Sequence, residues 1–329
     1  MQKTIKMMME SIMNVKAKKE LFEKNKRVYE SALLTFIGVE GFDVYNCSLP
    51  FTGVDGRRYI YGRVERPEEW ANSIVRLFVE TGKDEYSLVE NSMAYQLEDP
   101  YLQRIGGELI LGGTHVRKTR GGIDTYYGYF YRGDETRMTY FTTGPDRMKD
   151  IRLIELPDGR IGVFSRPRNG TYTGGAKAQI GFTVIDRLDA LDAEVIDTAP
   201  YLADVIGEGE WGGVNQAYLL NSGKIGVIGH MSYDDRTADG QPLQVYVNTA
   251  FTVDPVSRTA SAVEIIGTKS CYPACVPKVP RLADCVFTTG ILPRTDGKVD
   301  LYSGVGDTGE GRIVIDDPFA AEGGVLCSL

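Results

Sequence analysis

Residues 149–167 read KDIRLIELPDGRIGVFSRP: polar residues, a short apolar run, Pro-Asp-Gly, then a second apolar run. That is the pattern of two strands joined by a tight turn. The same plan recurs at 98–116, EDPYLQRIGGELILGGTHV, and at 215–232, NQAYLLNSGKIGVIGHMS. A looser copy runs over 280–307, PRLADCVFTTGILPRTDGKVDLYSGVGD, and an earlier one over 46–65, NCSLPFTGVDGRRYIYGRVE. Counted from residues 46, 99, 150, 215 and 280, the repeat is about 50 to 65 residues long, which is room for four strands and their loops. Self-similarity at that scale, with several strands per unit, is the signature of a β-propeller rather than a sandwich. Five copies use up the chain. The expected architecture is therefore all-β, a five-bladed β-propeller forming one domain over residues 35–329.

Ahead of the repeats the texture differs. Residues 3 to about 34 are rich in Lys, Glu, Met, Leu and Ala and contain neither Gly nor Pro, which predicts an N-terminal α-helical extension over 1–34. Met8, Ile12, Val15, Leu21 and Val28 recur at near-helical spacing, so one face packs against something apolar. Its own domain is the simplest partner; a second copy of the chain, giving a homo-oligomer through this helix, is the alternative.

The 329 residues are 42% apolar and 25% charged, the composition of a globular protein with a sizeable core. Against 37 Lys and Arg stand 45 Asp and Glu, a formal net charge of −8. That balance argues against nucleic acid or an anionic membrane as the main partner, so any bound anion must be held by local clustering. The five cysteines, at 47, 271, 275, 285 and 327, are too scattered for a disulfide scaffold. No segment has the apolar run of a signal peptide or a membrane span. Cytoplasmic residence is the expectation.

In a propeller the innermost strand of each blade lines a central channel, so polar residues at one phase of the repeat converge from distant positions. Asp43 and Asn46, Asp99, Asp150 and Arg152, Asn215 and Gln216, and Asp307 occupy such phases. A few would serve solvation alone. Several carboxylates with arginines around one axis are costly unless they are paired or needed for chemistry. Two other signals carry less. Gly304-x-Gly306-x-x-Gly309 matches a dinucleotide fingerprint, but Arg-Ile-Val-Ile-Asp-Asp-Pro follows where a helix is required, so it reads as a turn. Cys271, Cys275 and Cys285 lack a fourth ligand at useful spacing, and no metal or cofactor is expected.

The strings GFDVYN, YIYGRVE, LEDPYLQRIGGELILGG, GPDRMKDIRLIELPDGRIGVFSRP, WGGVNQAYLLNSGKIGVIGHMSY and YSGVGD resemble glycosyltransferase family 108, the mannosyltransferase/phosphorylases. The glycoside hydrolase family 130 mannoside phosphorylases are more distantly similar. The resemblance spans about residues 35 to 315. It implies an enzyme acting on β-1,2-linked mannosides, with inorganic phosphate as nucleophile and α-mannose 1-phosphate as product, or the reverse synthesis. Some members of the family use GDP-mannose as donor. Both reactions invert the anomeric centre.

Cleavage of a glycosidic bond passes through an oxocarbenium-like transition state, and an inverting hydrolase needs one carboxylic acid and one carboxylate that activates water. Phosphate is already a competent nucleophile, so a phosphorylase needs one acid facing a cationic cradle. By the resemblance Asp99 is the general acid, acting through a sugar hydroxyl. Arg63, Arg152 and Arg166 are the phosphate ligands, with Lys149 as a further charge; guanidinium offers a planar fork of donors suited to phosphate. His230 and Tyr233 stand near the phosphate. Asp43, Asn46, Asp150, Asn215 and Gln216 are suited to sugar hydroxyls, and Asp307 to the acceptor sugar. Asp150 is equally suited to pair with Arg152 or Lys149, and Asp43 to tune Asp99 by like-charge proximity. Trp211 is either a sugar platform at the channel mouth or plain packing, and His115 reads as structural. An inverting hydrolase with Asp43 or Asp150 as base, and a non-catalytic glycan-binding propeller, are the competing readings.

Overall fold

The computed structural model describes residues 13–168 and 175–326. A helix α1 (Val15–Asn25) precedes β1 (Glu30–Leu33). Blade one follows with β2 (Thr35–Ile37), β3 (Asp43–Tyr45), β4 (Phe51–Thr52), β5 (Arg58–Glu65), β6 (Ile74–Gly82) and β7 (Glu85–Leu88). Blade two is β8 (Glu98–Ile105), β9 (Glu108–Thr119), β10 (Gly122–Asp134) and β11 (Arg137–Thr143). Blade three is β12 (Arg152–Glu155), β13 (Ile161–Ser165) and β14 (Gly181–Ile185), after which comes a short helix α2 (Ala193–Asp197). Blade four is β15 (Trp211–Leu219), β16 (Ile225–Arg236), β17 (Pro242–Asp254), β18 (Thr259–Ala260) and β19 (Glu264–Gly267). Blade five is β20 (Val286–Pro293), β21 (Lys298–Val305) and β22 (Gly309–Asp316).

These strands form five separate sheets, antiparallel except for the β2–β7 pair, as the repeat predicts. Each inner hairpin turns at a glycine of positive φ: Gly56, Gly107, Gly159, Gly223 and Gly297. The core lies between the blades. One apolar cluster joins blades one and two around Tyr61 and Leu111; a second joins two and three around Phe130 and Val163. A third joins three and four around Phe182 and Val227, and a larger fourth joins four, five and one around Ile228, Leu301 and Ile60.

The N-terminal segment departs from the expected long helix. Within the described residues α1 covers Val15–Asn25, capped by the Asn14 carboxamide, which accepts from Ala17 N. The expected helical residues 3–12, with Met8 and Ile12, lie outside the described residues. Glu30–Leu33 is instead a strand that pairs antiparallel with β22 and completes blade five. The outer edge of β22 offers unpaired backbone groups, and pairing with them outweighs the helical propensity of that stretch. Ring closure thus joins the N-terminal strand to the last blade. Three lysines of α1 bind within the chain: Lys16 pairs with Asp235, Lys19 with Asp284, and the Lys18 ammonium donates to Val263 O. Among the described residues no helix is long and apolar enough to cross a membrane.

Candidate active site

All five innermost strands are broken or bent where they reach the axis. Ladders shift register at Glu98/Tyr101, Val214/Gln216 and Thr288/Gly290. Asn46, Asp99 and Asp150 adopt left-handed backbone, with φ of 47°, 48° and 59°. Such conformations cost about 1–3 kcal/mol each and persist where the surroundings enforce them, typically at functional sites. The result is a shared axis: Asn46, Asp99, Arg152, Asn215, Gln216 and Thr289, drawn from all five blades, line one small cavity of about 10 Å³.

Above it opens a second cavity of about 130 Å³, and here the charges gather. From blades one and two come Asn46, Arg63, Glu98 and Asp99; from blade three Lys149, Asp150, Arg166 and Arg168. Blade four contributes His230 and Tyr246, and blade five Phe287 and Asp307. A larger cavity of about 880 Å³ lies between the start of α1 and the outer part of blade four, and none of these residues lines it.

Asp99 is buried. Its Oδ1 accepts from Asn46 Nδ2 at 2.9 Å and from Arg63 Nη1 at 2.8 Å, and Lys149 Nζ lies 4.0 Å from Oδ2. Arg63 also donates from Nε to Ser73 Oγ at 2.7 Å and from Nη2 to Glu98 at 3.3 Å, with Glu65 3.4 Å away. Burial alone would weaken its charge, but Glu98, Asp99, Tyr45 and Glu65 together raise its pKa well above the ordinary value. Glu65 in turn accepts from Lys278 Nζ at 2.7 Å, a lysine reaching over from the segment ahead of blade five.

The opposite arc is cationic. Asp150 accepts from Arg166 Nη1 at 2.7 Å and has Arg152 3.7 Å away. Burial opposes its ionisation, yet Arg166, Arg152 and Lys149 hold the carboxyl well below the usual carboxylate range. Arg166 Nε donates to Gly212 O at 2.6 Å. At Gly213 a β-carbon would stand 3.0 Å from Arg166 Cδ and 3.2 Å from His230 Cε1, so glycine is what lets these two side chains lie over the strand. Lys149 has its pKa raised: burial works against the charge, and Asp99, Glu98 and Asp150 overcome it. Arg168, on the exposed side of the cavity, has its pKa lowered by partial desolvation and by Arg166 beside it.

His230 is fully buried between Tyr246 and Phe287, with ring centroids 5.7 and 4.8 Å away. Burial and then Arg166 hold its pKa well below the ordinary value, so it is neutral. Its Nδ1 lies 2.7 Å from Asn215 Oδ1. Facing an amide oxygen, Nδ1 carries the proton, and Nε2 has no partner and offers its lone pair.

With this geometry in hand, the comparisons with known proteins become informative. A family profile described as "Protein of unknown function (DUF1861)" matches residues 20–321. MPT-4, a mannose phosphorylase from Leishmania mexicana solved with a phosphate ion, is 59% identical, with 95% of this chain and 96% of that one covered and a TM-score of 0.91. MPT-1, a GDP-Man-dependent mannosyltransferase from the same organism, is 48% identical over 95% and 98% of the two chains, with a TM-score of 0.87. The chain belongs to their family, one of glycosyl-transferring enzymes. The β-1,2-mannobiose phosphorylase from Listeria innocua, 16% identical over 84% and 91% of the chains with a TM-score of 0.58, shares the propeller fold. Among curated proteins none matches.

Membership in this family covers the whole propeller, and most of the residues singled out from the sequence do meet. Asn46, Arg63, Asp99, Lys149, Asp150, Arg166, His230 and Asp307 line the charged cavity. Arg152, Asn215 and Gln216 line the axial cavity below it. Arg152 is fixed there, Nε donating to Asn215 O at 2.7 Å and its guanidinium 4.6 Å over the Tyr101 ring, and it does not line the charged cavity. Gln216 donates to Leu102 O and Gln103 Oε1.

Three expectations, on Tyr233, Asp43 and Asp307, are corrected, and the open choice for Trp211 is decided. Tyr233 does not line the cavity; it packs with Met231 in the cluster between blades three and four. Strand alternation explains this, since His230 and Ser232 point one way and Met231 and Tyr233 the other. Trp211 is 3% exposed and donates its indole N–H to Tyr246 Oη, so it is packing and not a platform. Asp43 lies 3.7 Å from Lys278 and is absent from both cavities. Asp307 enters from the turn between β21 and β22, not from an innermost strand; the fifth blade's own polar phase falls on Thr288 and Thr289. The Gly304–Gly309 motif is that same strand-turn-strand connection. His115 stacks on Tyr129 and lies outside the cavity.

Sequence reasoning passed over Glu98, Arg168, Tyr246 and Lys278. Glu98 stands in the quoted Glu-Asp-Pro, and Arg168 is one strand period beyond Arg166, so both had a local signal. Tyr246 and Lys278 had none.

Proposed function

We propose that this enzyme is an inverting phosphorylase of β-1,2-linked mannosides. A phosphate oxygen attacks the anomeric carbon as the bond from that carbon to the bridging oxygen breaks. The products are α-mannose 1-phosphate and a mannoside one unit shorter, and the reverse reaction builds the chain. The proton for the departing oxygen comes from Asp99, by way of a hydroxyl of the bound sugar.

The observation that carries this reading is the division of the cavity: Asp99, with Glu98 beside it engaged by Arg63, on the arc of blades one and two, against Lys149, Arg166 and Arg168 on the arc of blade three, where Asp150 is engaged by Arg166. The cradle is thus Lys149, Arg166 and Arg168, with His230 Nε2 placed to accept from the hydroxyl of a monoprotonated phosphate. Arg63 and Arg152 leave that role. Arg63 keeps Asp99, Glu98 and Glu65 in place, and Arg152 supports Asp150 from below. Asn46 and Asp307 are suited to the sugar hydroxyls. The phosphate ion in the MPT-4 structure and the mannobiose bound by the Listeria enzyme support the substrate pair.

A hydrolase needs a free carboxylate facing the acid across the sugar. Asp150 is locked between Arg166 and Arg152, and Asp43 faces Lys278 outside the cavity. GDP-mannose, the donor named for MPT-1, is the second reading. Incubating the enzyme with β-1,2-mannobiose, with and without phosphate, tests the assignment. Mannose 1-phosphate released only with phosphate is the expected result; free mannose formed without phosphate overturns it.

A further inference from the structure

One large side chain at the cavity is unused by this chemistry. Trp70 lines the cavity and is 39% exposed, whereas Trp211, the chain's other tryptophan, is buried. It sits on the loop between β5 and β6, and two other parts of the molecule hold it. Lys118, from the β9–β10 hairpin, donates to the Trp70 carbonyl. The Arg281 guanidinium lies 5.3 Å from the indole centroid, a cation–π contact. Trp70 lines the cavity and Arg281 does not.

The same loop is tied to the acid. Directly after Trp70, Ala71 takes a left-handed φ of 56°, unusual for a residue with a β-carbon. Asn72 N then donates to Glu65 Oε1 at 2.9 Å, and Ser73 Oγ accepts from Arg63 Nε at 2.7 Å. The indole is therefore fixed relative to Arg63 and Asp99 by a short, strained and hydrogen-bonded segment. A rigid aromatic at the rim of a small polar cavity suits the apolar C–H face of a pyranose, while the polar groups deeper inside suit its hydroxyls.

We propose that Trp70 is the stacking platform for the acceptor-side sugar, the ring beyond the bond being made or broken. This rests on the phosphorylase reading for the identity of the sugar, a β-1,2-linked mannoside. Trp70 would then set preference for the acceptor and leave the phosphate side untouched.

The test combines synthesis kinetics with intrinsic fluorescence for the wild type, Trp70→Ala and Trp70→Phe. In synthesis from mannose 1-phosphate and β-1,2-mannobiose, Trp70→Ala should raise KM for the acceptor roughly five- to tenfold, the worth of one aromatic stacking contact. KM for mannose 1-phosphate should hold, and Trp70→Phe should recover most of the loss. Titrating β-1,2-mannobiose into the wild type should shift tryptophan emission, and the shift should vanish in Trp70→Phe, where only Trp211 remains. Unchanged acceptor KM in Trp70→Ala, or an equal emission shift in Trp70→Phe, overturns the proposal. If the wild type performs no phosphate-linked chemistry, the phosphorylase reading falls, and the fluorescence titration still decides the platform.

Discussion

Arg63 Nη1 donates to Asp99 Oδ1 at 2.8 Å, and the same guanidinium faces Glu65 and Glu98. One buried guanidinium thus faces three carboxyl groups, with Lys278 sharing Glu65 and Lys149 near Asp99. Removing one partner of a buried ion pair leaves uncompensated charge and typically costs about 3–5 kcal/mol. Arg63→Met should therefore lower Tm sharply as well as abolish turnover. Arg63→Lys keeps the charge but loses the fork that spans Ser73, Asp99 and Glu98, so it should fold and show a reduced kcat. Thermal melting beside steady-state kinetics separates the two. A wild-type Tm for Arg63→Met would show that the carboxylates do not depend on it.

Gly304 bears on the acid from the other side. A β-carbon there would stand 1.7 Å from Asn46 Oδ1 and 2.9 Å from Asn46 N. Asn46 is the residue whose amide donates to Asp99. Gly304→Ala should push the carboxamide off Asp99 and depress kcat by at least about tenfold, the scale expected for one hydrogen bond to a charged group. KM for phosphate should change little, since Lys149, Arg166 and Arg168 stand on other elements. A KM effect without a kcat effect would count against this linkage.

Much of this was legible in the sequence because the repeat does the placing. Once the strand-turn-strand unit is seen five times, the polar phase at Asn46, Asp99, Asp150 and Asn215 must meet at an axis. What escaped the sequence has specific causes. Asp307, named from the sequence, lines the cavity but reaches it from a turn, outside the phase that propeller geometry predicts. Tyr233 sits three residues past His230, and an odd step along a strand sends it to the other face. Glu30–Leu33 carries helical propensity, and only the open edge of β22, a tertiary feature, makes it a strand. The resemblance assigns Arg63 to phosphate by its place in a motif, and no motif says which carboxyl groups it meets. Its three carboxylates lie on two blades, and that pairing exists only once the blades are packed.

Arg168 shares the cavity with Arg166, whose charge disfavours its own. A phosphate dianion would relieve that crowding. Phosphate should accordingly raise Tm in a concentration-dependent way, as any ligand specific to the folded state does. Arg168→Ala should weaken the effect and raise KM for phosphate by about tenfold or more, consistent with the loss of a charge-assisted hydrogen bond. The variant should gain a little stability without phosphate, because like-charge repulsion is gone. Phosphate that stabilises Arg168→Ala as well as the wild type would remove this residue from the cradle.

Glu310 offers a pH signature independent of catalysis. It is fully buried, accepts from Cys47 N at 3.0 Å and from Thr289 Oγ1 at 2.7 Å, and burial pushes its pKa up to about 7 from 4.5. A carboxyl whose pKa is raised by folding is bound to its proton more tightly in the folded state than in the unfolded one. Its contribution is therefore fully present below about pH 4.5 and is lost as pH rises through about 7. A rise of that size corresponds to about 3 kcal/mol at most. Glu310→Gln keeps the shape and stays neutral: the amide oxygen can accept from Cys47 N while the amide nitrogen donates to Thr289 Oγ1. Melting curves between pH 5 and pH 8 should show wild-type Tm falling relative to the variant, with the two closest at the acid end. Parallel curves across that range would mean that Glu310 ionises without cost, and that the floor beneath Asn46 is wetter than its burial implies.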